Sequence, residues 1–89
     1  MTATSYTYFA TLAELQTALI ARLDTCAPVY PDVFSHSGGA TFAVAFEVWH
    51  GDHWEILRLN AMSEEGVHFR ASHAMNHARD MFIAAGAAT

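Results

Sequence analysis

Residues 41–60 spell out a hairpin whose register can be derived. Along Thr41–Trp49, Phe42, Val44, Phe46 and Val48 fall on one side of an extended chain. Ala43, Ala45, Glu47 and Trp49 fall on the other. His50-Gly51-Asp52-His53 is a turn signal centred on Gly-Asp, and residues 54–60 form the return strand. A two-residue loop at Gly51-Asp52 and a four-residue loop spanning 50–53 alike set Trp49 opposite Trp54, Phe46 opposite Leu57 and Val44 opposite Leu59. The apolar row of one strand then meets the apolar row of the other. The opposite face carries Trp49, Trp54, Glu47, Ile56, Ala45 and Arg58.

The elements around the hairpin follow from the helical period. Leu12, Leu15, Leu19, Ile20 and Leu23 line one face of a helix over residues 11–23. Thr11-Leu12-Ala13-Glu14 is a capping box at its start, with the Thr11 hydroxyl set to accept the Glu14 N–H. Ser72 is placed to cap a last helix, 73–85, with an apolar stripe of Ala74, Met75, Ala78, Met81, Phe82 and Ala85, stopped by Gly86. Residues 24–40 hold Pro28, Pro31, Gly38 and Gly39 and read as a long irregular segment that packs down through Val29, Tyr30, Val33 and Phe34. After a turn at Ser63-Glu64-Glu65-Gly66, Val67–Arg70 reads as a short third strand, and Tyr6–Phe9 as an optional fourth.

The expected architecture is a two-layer α+β fold over residues 1–89 as a single domain. An antiparallel three-stranded sheet, with a fourth N-terminal strand allowed, carries two helices on one face in the order α-β-β-β-α. This order resembles that of double-stranded-RNA-binding domains, which grip phosphates with a Lys cluster at the start of the last helix. Here that stretch is Ser72-His73-Ala74-Met75-Asn76-His77 and Lys is absent, so the function does not transfer with the topology.

Composition narrows the function classes. Of 89 residues, 53% are hydrophobic and 15% charged, which argues against disorder. The net charge is −5, with four basic residues, Arg22, Arg58, Arg70 and Arg79, scattered along the chain. That is a poor set for displacing counterions from phosphates, so no direct nucleic-acid contact is expected. No apolar run reaches the roughly 18–20 residues of a membrane span. Residues 1–6 lack the basic and apolar regions of a signal peptide. Cys26 is the single cysteine, so no internal disulfide can form, and a cytoplasmic setting is expected.

Three constellations carry candidate chemistry. Trp49, Trp54 and Ile56 form an apolar patch on the outer sheet face, a hallmark of interaction sites. Glu47, Asp52, Glu55, Glu64 and Glu65, against Arg58 alone, place nearly all the net charge between residues 47 and 65, as an acidic rim suited to a basic protein surface. His73, His77 and Asp80 share one helix stripe with the spacing of a metal chelate, although the Glu of zinc proteases is missing at Ala74. Cys26 has no His or cation beside it in sequence, Ser35-His36-Ser37-Gly38-Gly39 lacks the full Gly-x-Ser-x-Gly of a nucleophile elbow, and no enzyme is expected.

The expected function is therefore a small acidic protein-binding module without a cofactor. In size and acidity the chain is similar to the small inhibitors encoded by phages and mobile elements, anti-CRISPR proteins among them. That likeness implies a partner with a basic surface in a nucleic-acid-handling complex. Metal binding at the His73/His77/Asp80 stripe and self-assembly of the Trp face into a homodimer are the alternatives.

Overall fold

The computed structural model describes residues 3–26, 28–36, 41–59 and 69–86. In chain order the elements are β1 (Thr4–Phe9), α1 (Leu12–Thr25), β2 (Val29–His36), β3 (Thr41–Trp49), β4 (Trp54–Leu59) and α2 (Ala71–Ala84). The strands form one mixed sheet in the order β1-β4-β3-β2. β3 runs antiparallel to both β2 and β4, while β1 lies parallel to β4 at the edge.

The class is α+β as expected, but the sheet is four-stranded and mixed rather than three-stranded and antiparallel. β1 is the allowed N-terminal strand. The unexpected strand is β2, inside the segment read as irregular. Its prolines misled because proline breaks a central strand, whereas β2 is an edge strand. Pro31 sits opposite Phe46 within the ladder. An edge strand turns half of its backbone groups away from the sheet, where a missing N–H removes no ladder bond. Of the strand expected at 67–70, Val67 and His68 lie outside the described residues. Phe69 forms an isolated bridge to Phe42, with N–H···O distances of 2.8 and 3.1 Å.

The hairpin register is the derived one: Trp49 faces Trp54 and Phe46 faces Leu57. The His50 N–H donates to the His53 carbonyl at 3.0 Å, closing the two-residue loop. Gly51 takes φ +97°, a conformation that L side chains rarely adopt.

Both helices cover the same sheet face. Leu15 and Leu19 of α1 and Ala78 and Met81 of α2 pack with Val29, Val44, Phe46, Val48 and Leu57 into one core. Phe46 is fully buried, with its ring 6.3 Å from that of Phe82. Ile20, expected in the apolar stripe of α1, is instead exposed. The expected cap of α1 is present, Thr11 Oγ1 accepting the Glu14 N–H at 3.1 Å. That of α2 is not: the helix starts at Ala71, Arg70 holds the cap position without a side-chain bond, and Ser72 lies in the first turn. No helix among the described residues is long and apolar enough to cross a membrane.

Thr11→Ala removes an N-terminal acceptor from α1 and is expected to cost about 1 kcal/mol. Urea denaturation checks this: the midpoint should fall while the slope stays unchanged.

Candidate functional site

The sheet face away from the helices holds the candidate site. Its side chains can be read in rows from β2 to β1, because residues paired across strands point to the same side. One row is Tyr30, Glu47, Ile56 and Tyr6; the next is Asp32, Ala45, Arg58 and Tyr8. Phe34 and Ala43 lie beyond the second row, and Trp49 with Trp54 beside the first.

The aromatic groups form a layer over this face. The Trp49 and Trp54 rings lie 5.1 Å apart, and Tyr30 reaches over β3 to within 6.3 Å of Trp54. The Tyr6 and Tyr8 rings stack at 6.3 Å. The Arg58 guanidinium also crosses β3 and lies 4.8 Å over the Phe34 ring. Side chains that bridge the small residues of β3 explain why Ala43 and Ala45 are buried without a helix above them. Tyr6, Tyr8 and Tyr30 are each more than half exposed.

Set into this layer is a pair of carboxyl groups. Glu47 lies in the row beside that of Asp32. Burial raises the pKa of Glu47 from its ordinary value, and the charge of Asp32 and a hydrogen bond to it raise it further. The Asp32 carboxylate also accepts the Val33 N–H at 2.8 Å.

The expected site residues separate in the structure. Trp49, Trp54 and Glu47 are together on the open face, as their register requires. Ile56 shares that face but is only 4% exposed. Asp52 is at the exposed hairpin end, bonded to His53 Nδ1 at 2.6 Å, and the bond and charge of His53 lower its pKa. Glu64 and Glu65 lie outside the described residues.

Glu55 is not part of the rim. It pairs with Val48 and points to the helix side, where it is 7% exposed. Arg22 of α1 grips it twice, Nε to Oε1 and Nη2 to Oε2, both at 3.1 Å. Thr7 of β1 donates to Oε2 at 2.5 Å, and His50 Nε2 lies 2.8 Å from Oε1. Burial alone would raise the Glu55 pKa, but the bonds from Arg22, Thr7 and His50 and the charge of Arg22 bring it down to about 2.

The metal candidates do not converge. The His77 ring stacks on Phe69 at 4.8 Å, while His73 and Asp80 are exposed. Among the described residues no group of three His, Cys, Asp or Glu side chains is arranged to hold a metal ion.

Sequence reasoning missed Tyr6, Tyr8, Tyr30, Asp32 and Phe34 as members of the face. The signal was present in β2, where Val29, Pro31 and Val33 alternate with Tyr30, Asp32 and Phe34. No protein-family model, curated protein or solved structure matches the chain.

Glu55 tests the helix-side cluster. Its folded pKa lies below 4.5, so its stabilising contribution is complete above that pH and is lost as pH falls through about 2. Glu55→Gln is expected to cost about 2–3 kcal/mol at pH 7, below the cost of breaking a fully buried pair because Arg22 still reaches water. Urea midpoints measured from pH 7 downward should decline less steeply for the variant than for wild type.

Proposed function

We propose that this protein is a binding module that docks a basic protein surface on the open face of its sheet. The observation that carries the reading is the Asp32/Glu47 carboxyl pair set among Tyr30, Trp49 and Trp54. Two adjacent acids in a partly desolvated setting repel, and an incoming Lys or Arg relieves that repulsion. Aromatic faces beside the acids add cation–π attraction and a large, rigid contact area. Arg58, the cation of this face among the described residues, is already over Phe34. The net charge of −5 steers a cationic partner toward the molecule. In its most specific form, the proposal is an inhibitor that occupies a basic surface of a nucleic-acid-handling complex.

The test compares wild type with Tyr30→Ala and Trp54→Ala proteins, each shown by circular dichroism to fold, in capture from a lysate. Retention of a basic protein by wild type, weakened at least about tenfold by either substitution, supports the proposal. Equal retention by all three, or light scattering that shows only pairing of the chain with itself, overturns it.

Glu47→Gln gives a second expectation. The raised Glu47 pKa means that its ionised form opposes folding above its ordinary value of 4.5. The variant should therefore melt slightly higher than wild type at pH 7 while binding the basic partner more weakly. A lower melting temperature or undiminished binding would contradict the assignment.

A further inference from the structure

The other side of the sheet holds a chemistry that sequence spacing concealed. Cys26 ends α1, fixed there by its N–H bond to the Arg22 carbonyl at 2.6 Å. Its half-buried Sγ lies 3.4 Å from Nδ1 of His50, which arrives from the hairpin turn. The other ring nitrogen, Nε2, is 2.8 Å from Glu55 Oε1. These residues are 24 and 5 positions apart in the chain, yet the fold sets them in one line.

The protonation pattern follows from Glu55. Held by Arg22 and Thr7, it is a carboxylate at neutral pH and can only accept at Oε1. His50 Nε2 therefore carries the proton, which in the neutral ring leaves the lone pair of Nδ1 facing the thiol. A nucleophile bonded to a base, with the base oriented by a third group, is the arrangement that activates thiols. Among the described residues, the other charged or titratable groups recorded around it are Arg22 on α1, behind Glu55, and His53, whose ring stacks on His50 at 4.7 Å and which is bonded to Asp52.

We infer that Cys26, His50 and Glu55 form a nucleophilic thiol site that accepts acyl groups from thioesters or activated esters. In the step, the Cys26 proton passes to His50 Nδ1 as Sγ attacks the acyl carbon. The new S–C bond forms while the bond to the leaving thiol or phenol breaks. His50 returns the proton to that leaving group, and the products are acyl-Cys26 and the free thiol or phenol. Glu55 is a positioning residue that holds the ring and its tautomer.

The experiment exposes native protein to p-nitrophenyl acetate at pH 7 and follows phenolate release and intact mass. The references are the His50→Asn and Cys26→Ser variants and the wild-type chain unfolded in urea. Wild type should gain one acetyl group, absent in Cys26→Ser, at least about tenfold faster than His50→Asn or the unfolded chain, a threshold set beneath the roughly hundredfold low end of what a positioned base contributes. Acetylation no faster in the native than in the unfolded chain would overturn the proposal, and that comparison decides even if His50→Asn fails to fold. An unchanged rate in folded His50→Asn would overturn it equally.

Discussion

The facing of Trp49 and Trp54 across the hairpin determines what the rest of the molecule can be. Side chains alternate with a period of two, so this one pairing assigns every residue of β3 and β4 to a face. It sends Phe46, Val48 and Leu57 to the helices and Glu47, Ile56 and Arg58 to the open side. A slip by one residue between the two strands would set Trp49 and Trp54 on opposite faces and put the apolar row of one strand beside the polar row of the other. The same pairing aligns Glu55 with Val48 and carries it inward, where Arg22, Thr7 and His50 converge on it. Both the aromatic surface and the polar cluster beneath the sheet thus depend on the hairpin register.

The two faces solve the problem of burial differently. On the helix side, α1 and α2 cover an apolar row in the usual manner of a two-layer fold. Among the described residues no helix lies on the open side, and the sheet is covered by its own long side chains. Small residues on β3 let Arg58, Trp54, Tyr30 and Phe34 lean across the central strands, burying Ala43, Ala45 and Ile56. Such a layer leaves Tyr6, Tyr8 and Tyr30 more than half exposed. The buried carboxylate of Glu55 links β1, α1 and the hairpin turn. A buried ion pair of this kind is weak evidence for net stability, because its desolvation offsets much of its attraction. Its clearer consequence is geometric, since it fixes the ring of His50 in front of Cys26.

Much of this was legible from residue order where local rules act alone. The hairpin register came from alternation on both sides of Gly51-Asp52, the start of α1 from Thr11 and Glu14, and the buried stripe of α2 from Ala74, Ala78 and Met81. What failed depended on neighbours distant in sequence. Pro28 just before it and Pro31 within it hide β2, and the tolerance of Pro31 there follows from edge position, a property of the whole sheet. Ile56 was assigned to the correct face, but its burial depends on rings from β1 and β2. Glu55 was counted with neighbouring acids by charge, although its place opposite Val48 in the derived register already put it on the apolar row. His50 and Cys26 meet only because the end of α1 and the hairpin turn lie at the same end of the sheet.

We propose that the Trp49/Trp54 side of the sheet is open in the free protein and closed by a basic partner. Acrylamide quenching of tryptophan fluorescence measures this directly, because both Trp residues lie on that face. Ready quenching in the free protein, independent of protein concentration, followed by protection when the basic partner is added, is the predicted result. Tryptophans already shielded in the free protein, or equally quenched in the complex, would contradict the account.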